Sequence, residues 1–171
     1  MHMENDIYNP NAKHDMSNEI HETAIIHDCV VMGKNNKIGA YSIIGGNGEI
    51  RGVKQFNGQV IIGDNNIISE LVTIQRPAKS ESKTVIGDNN IIMAHSHIGH
   101  DVVVGNNTEV CTGVILGGYV IVKDNAKIKL GSTIRNRKII GESALVGMGS
   151  VVVKDVEDKQ VVVGNPAKTL K

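Results

Sequence analysis

The segment Ala94-His95-Ser96-His97-Ile98-Gly99-His100-Asp101 gathers three imidazoles and a carboxylate into one short stretch. Imidazole is the side chain best suited to take up and return a proton near neutral pH, and an adjacent carboxylate fixes its tautomer and stabilises the imidazolium. His100 followed by Asp101 is therefore a candidate general base with its orienting acid. The plain alternative is a solvated turn that happens to carry two polar side chains. Three histidines also admit a second chemistry, since neutral imidazoles are good zinc ligands.

What positions these groups is a repeat. Every sixth residue from Ile20 to Val152 is apolar except Ser80, through Ile20, Ile26, Met32, Ile38, Ile44, Ile50, Phe56, Ile62, Ile68 and Ile74, then Ile86 onward to Val146 and Val152. Neither a helix of period 3.6 nor an alternating strand produces a strict six. A chain that turns a corner every six residues does, because each short strand then sends its apolar residue to one central axis. This is the hexapeptide β-helix repeat, three strands to a triangular coil and the coils stacked as a solenoid. Gly, Asn and Asp follow many of the apolar positions, as in Gly63-Asp64-Asn65 and Gly87-Asp88-Asn89, and tolerate the left-handed backbone that tight corners need. Small or β-branched residues recur four places on, among them Ala24, Ser42, Val72, Ser96 and Val114, and suit a narrow interior.

In such a solenoid three hexads complete one coil, so His100 stacks on Gly118 and Gly118 on Asn136. Strand layers about 4.8 Å apart place His100 and Asn136 roughly 10 Å from each other with a glycine between. A base, an unobstructed amide donor at Gly118 and the Asn136 amide on one column make the outline of an acyl-transfer site. Arg135 and Arg137 flank Asn136 and are candidates to hold phosphates. The polar run Arg76 to Thr84 breaks the repeat at Ser80 and is expected to leave the solenoid as a loop.

The chain has 171 residues and a mass of 18.4 kDa, the size of one domain, and only 2% aromatics with no Trp. Ile and Val stacks must fill the interior instead. A formal net charge of zero and a pI near 7.1 argue against a nucleic-acid partner reached by general electrostatics. Cys29 and Cys111 lie several coils apart, too far to bridge, and a reduced cytoplasmic protein is expected. No apolar run approaches the roughly 20 residues that span a bilayer, and no signal-peptide core is visible. The expected organisation is a flexible arm over 1–19, a β-helix over 20–157 and a tail over 158–171.

The chain resembles the hexapeptide-repeat acyltransferases from Ile20-His21-Glu22-Thr23-Ala24-Ile25 through Val72-Thr73-Ile74-Gln75-Arg76, His97-Ile98-Gly99-His100-Asp101 and Leu116-Gly117-Gly118-Tyr119. These stretches are most similar to the UDP-N-acetylglucosamine O-acyltransferases of lipid A synthesis, and the His-acid pair is also similar to that of sugar N-acetyltransferases. The resemblance implies an all-β, left-handed parallel β-helix. It assigns the base to His100, its acid to Asp101, the oxyanion-binding amide to Gly118, and substrate contacts to His97, Arg76, Asn136 and Arg135. The last two stand where those enzymes carry Gln and His.

Val146-Gly147-Met148-Gly149-Ser150 and Gly164-Asn165-Pro166-Ala167-Lys168 look like the closing coil and tail of acetyl-CoA-dependent acetyltransferases. They imply donor contacts at Gly147, Asn165, Pro166 and Lys168. The expected activity is transfer of an acyl group, acetyl foremost, from acyl-CoA to a hydroxyl or amine of a sugar nucleotide, without a metal and in a homotrimer. The first alternative is a carrier-protein-dependent O-acyltransferase of the lipid A type, without the helical domain that follows the solenoid there. A γ-carbonic-anhydrase-like metal hydratase using His95, His97 and His100, and a solenoid without turnover, are further alternatives. The segment Gly46 to Gln59, with Glu49, Arg51 and Lys54, falls where the lipid A enzymes carry a sugar-nucleotide loop.

Overall fold

The computed structural model describes residues 15–53 and 58–170. Its described residues form short strands, most of two residues, dealt in turn to three sheets of nine, seven and six strands. All pairings are parallel except the last, between Val161–Val163 and Lys168–Thr169. The architecture is the left-handed parallel β-helix. No described helix is long and apolar enough to cross a membrane.

The hexad sets the packing directly. On the strand His97–Ile98, Ile98 is fully buried while His97 faces outward, and the pair lies in register with Ile115 and Leu116 one coil on. Repetition stacks Ile26, Ile44, Ile74, Ile98, Leu116, Ile134 and Val152 on one inner wall. Each such side chain contributes on the order of 1.5–3 kcal/mol by leaving water.

Two coils are longer than eighteen residues. Ile44 pairs with Ile74, 30 positions away, because the chain leaves the wall at Asn47 and rejoins it at Gln59. Ile74 pairs with Ile98, 24 away, because residues 76–82 form the polar loop expected at Ser80. The first excursion adds two whole hexads and the second adds one, so the six-residue register survives both in the sequence. This corrects the reading of Ile50 as a rung, since it sits half-buried in the excursion. Phe56 and Lys54 lie outside the described residues, as do residues 1–14 of the expected arm. Val161–Val163 continues the first sheet by pairing with Leu145–Val146, and Val162 is buried, so the solenoid wall extends into the expected tail.

Polar side chains are also built into the stack. Asn66 Nδ2 donates to Asn36 Oδ1 at 3.0 Å and to the Gly87 carbonyl at 2.9 Å, and Asn66 Oδ1 accepts from the Asn90 amide at 2.9 Å. The same ladder begins at Asn18, whose Oδ1 accepts from Asn36 at 3.1 Å, and ends at Thr108, whose hydroxyl reaches Asn90 Oδ1 at 2.7 Å. Ala126 and Ala144 continue the position without hydrogen-bonding side chains. Both cysteines are free, and burial together with the Glu109 carboxylate pushes the Cys111 thiol up to about 11, far from a reactive thiolate at neutral pH.

Candidate active site

The strand His97–Ile98 ends at a corner between the second and third sheets, and this corner holds the His-Asp pair. Asp101 adopts the left-handed backbone, with φ 59°, which turns its side chain back toward the preceding residue. His100 Nδ1 then lies 2.8 Å from Asp101 Oδ2, and both side chains are nearly buried, 11% and 4% exposed. Burial that deep removes the solvated-turn alternative.

The acid is held from outside the repeat. The Ala78 amide, in the polar loop, donates to Asp101 Oδ2 at 3.0 Å, and Asp101 N donates to Thr84 Oγ1 at 2.9 Å. Burial by itself would raise the Asp101 carboxyl, but the Ser82 hydroxyl, the Ala78 amide and His100 outweigh it and leave the carboxyl below its usual range. Asp101 Oδ1 is buried and has no hydrogen-bond partner among the described residues.

With Nδ1 engaged by Asp101, Nε2 is the ring nitrogen left for chemistry. It lies over Gly118, where a Cβ would overlap the imidazole ring. Gly118 is thus a glycine because His100 occupies the space of its side chain. The same is true one position earlier, where a Cβ at Gly117 would overlap Asn136 Oδ1. Among the described residues the Gly118 amide makes no backbone hydrogen bond of the wall.

His97, His100, Gly118 and Asn136 line one cleft of about 570 Å³, together with Thr73, Gln75 and Glu49. His97 Nδ1 is hydrogen-bonded to Thr73 Oγ1 at 2.8 Å. Burial lowers the His97 imidazole below its ordinary value, with Glu49 opposing and the neighbouring His100 adding to the effect. His97 is therefore a neutral hydrogen-bonding group at neutral pH.

The remaining expected site residues are elsewhere. Arg76 Nε donates to the Gly45 carbonyl at 2.5 Å, tying the start of the polar loop to the wall, and does not line the cleft. Arg135 is exposed on the wall outside it. Pro166 and Lys168 line a separate cavity of about 470 Å³ at the C-terminal end, with Asn165 in the adjoining turn. Gly147 is packed under Val163. His95 occupies the preceding corner, exposed, with φ 61°, and is not among the residues of the cleft that holds His97 and His100. Among the described residues no three His, Cys, Asp or Glu side chains converge as a metal set.

Beside the stacked column stand residues that the six-residue period alone does not place. Glu49 and Asn47 come from the first excursion, whose two-hexad length hid it inside the register. Gln75, buried, closes the strand Thr73–Gln75 where the wall bulges against Gly46. Tyr119, beside Gly118, meets the His100 ring edge to face, with centroids 5.0 Å apart.

Residues 83–118 match the bacterial transferase hexapeptide (six repeats) family. Over 73 residues the chain is 37% identical to the acyl-[acyl-carrier-protein]–UDP-N-acetylglucosamine O-acyltransferase of Stutzerimonas stutzeri, covering 42% of this chain and 28% of that protein. Over 95 residues it is 37% identical to the enzyme of the same name from Campylobacter lari, covering 54% and 36%. The crystal structure of the UDP-N-acetylglucosamine acyltransferase from Bacteroides fragilis superposes with TM-score 0.86 at 28% identity, over 90% of this chain and 60% of that one. That from Francisella novicida superposes with TM-score 0.74 at 30% identity, over 91% and 67%. The chain belongs to the hexapeptide-repeat, left-handed β-helix acyltransferase superfamily. It spans roughly a third or less of the curated relatives it matches.

Proposed function

We propose that this chain transfers an acyl group from the thioester of an acyl carrier protein to a hydroxyl of a UDP-N-acetylglucosamine-type sugar nucleotide. The observation that carries the reading is the buried His100–Asp101 pair at 2.8 Å over the Gly118 amide. His100 Nε2 takes the proton of the acceptor hydroxyl as its oxygen attacks the thioester carbonyl. The Gly118 N–H donates to the oxyanion of the tetrahedral intermediate. Collapse breaks the C–S bond, the proton passes from His100 to the departing thiolate, and an ester and a free thiol remain. Asp101 holds the Nδ1–H tautomer and stabilises the transient imidazolium. Thr73, Gln75, His97 and Asn136 supply neutral polar groups to a sugar, and Glu49 adds a carboxylate.

The carrier-protein donor is favoured over acetyl-CoA, which rested on the C-terminal motifs. Pro166 and Lys168 line a cavity that shares no residue with the His100 cleft, and the named relatives are acyl-carrier-protein enzymes. The proposal includes cytoplasmic placement and assembly into a homotrimer. The outward column Val31, Ile61, Val85, Val103, Ile121 and Ile139 of the third sheet is apolar throughout and supports burial against another copy.

Mass spectrometry of reactions containing UDP-N-acetylglucosamine with either acyl carrier proteins of graded chain length or acetyl-CoA tests the reading. An O-acyl sugar nucleotide is expected from the carrier-protein donors. Product from acetyl-CoA alone, or full turnover by His100→Ala, overturns it.

A further inference from the structure

We propose that Tyr119 and Arg137 are positioning residues for His100, a two-member brace that holds the imidazole over the Gly118 amide. The inference rests on the reading of His100 as the base. Asp101, Tyr119 and Arg137 occupy the same corner position in three successive coils, one step beyond the column His100, Gly118 and Asn136. The Tyr119 ring stands nearly perpendicular to the His100 ring, at 86° and 5.0 Å between centroids. The Arg137 guanidinium lies over the Tyr119 ring, 4.2 Å from its centroid. His100 is thereby gripped on two sides, at Nδ1 by Asp101 and at the ring by Tyr119, and Arg137 fixes the ring that does the gripping. An edge-to-face pair and a cation–π contact are both directional, so they restrict orientation as well as add attraction.

Tyr119 and Arg137 sit at φ 62° and 64°, where a large L side chain is disfavoured. The same left-handed conformation is taken by Tyr41, Leu71 and His95 at the corner between the first and second sheets and, at the corner between the third and first, by Asn35, Asn65, Asn89, Asn107 and Asn125. Asparagine is the inexpensive choice there. At the corner that carries His100, the Tyr119 ring reaches the imidazole and the Arg137 guanidinium reaches that ring.

Nitrogen-15 NMR of histidine-labelled full-length protein, with His100 assigned through His100→Gln, reads the brace without turnover. In wild type His100 is expected as one tautomer with narrow Nδ1 and Nε2 resonances. Tyr119→Leu is expected to broaden or average them, and Tyr119→Phe, which keeps the ring, to restore them. In acyl transfer Tyr119→Leu is expected to lower kcat about 10-fold and Arg137→Gln about 2–5-fold, with KM for the sugar nucleotide nearly unchanged and Tyr119→Phe close to wild type. Should Tyr119→Leu fail to fold, Arg137→Gln carries the same two measurements. Unchanged His100 resonances with unchanged kcat in the ring-removing or Arg variant overturn the brace. Altered resonances in a protein that transfers no acyl group support the brace and overturn the acyltransferase reading instead.

Discussion

The Ala78 amide donates to Asp101 Oδ2 at 3.0 Å, so the loop that interrupts the repeat is the element that holds the acid behind His100. The same carboxylate oxygen contacts His100 Nδ1, and a single atom therefore joins the loop to Asp101 and His100.

Asp101→Asn should keep the fold but lose the negative charge that stabilises the imidazolium behind Nδ1. Turnover is expected to fall on the order of 10²-fold or more in a carrier-protein assay. The carboxyl is held below its usual range, so its stabilising contribution is present above the ordinary carboxylate value and is lost as pH falls through the lowered one. The Tm difference between wild type and Asp101→Asn should accordingly persist at pH 5 and shrink toward pH 2.

Gly118→Ala tests the close approach. The added methyl overlaps the imidazole, while the backbone at Gly118 is not in the left-handed region, so displacement of His100 is the main effect. A shift of about 1 Å in His100 should cost on the order of 10²-fold in kcat.

His97 is kept neutral by burial. Since its folded value lies below the unfolded one, the unfolded chain binds the proton first on acidification, and the group removes stability as pH falls below the ordinary imidazole value near 6.5. NMR titration should place its midpoint under that value, and His97→Asn should flatten the dependence of Tm on pH between about 6.5 and 5.

Asn66→Ala should destabilise by about 2–5 kcal/mol in denaturant unfolding, because the Asn90 amide and the Gly87 carbonyl lose buried partners. Asn66 is fully buried, so water cannot replace them.

The fold and the column of the site were legible because a six-residue period is also a coordinate system: residue numbers alone place His100 over Gly118 and Gly118 over Asn136. What was not legible lies where the chain leaves that system. The period does not reveal the excursion that carries Glu49 and Asn47, because its length is a multiple of six and leaves no gap in the apolar series; only the resemblance marks that segment. The tethering of Asp101 by Ala78 depends on how a loop folds back, which no period encodes. Arg76 and Arg135 follow from the resemblance, Arg135 also from flanking Asn136. A strand alternates its faces and Arg76 turns toward Gly45, so neighbours in sequence part company in space.

The asparagine ladder stops at Thr108, one rung past the coil of His100, and this divides the solenoid mechanically. A stack whose coils touch only their neighbours opens from its weaker end. With Ala126 and Ala144 in place of ladder residues, that end is the C-terminal one. Unzipping from there detaches Asn136 first, Gly118 next and His100 last. Hydrogen exchange should therefore show the Asn136 rung of the cleft opening while His100 is still clamped, a built-in order in which the cleft comes apart.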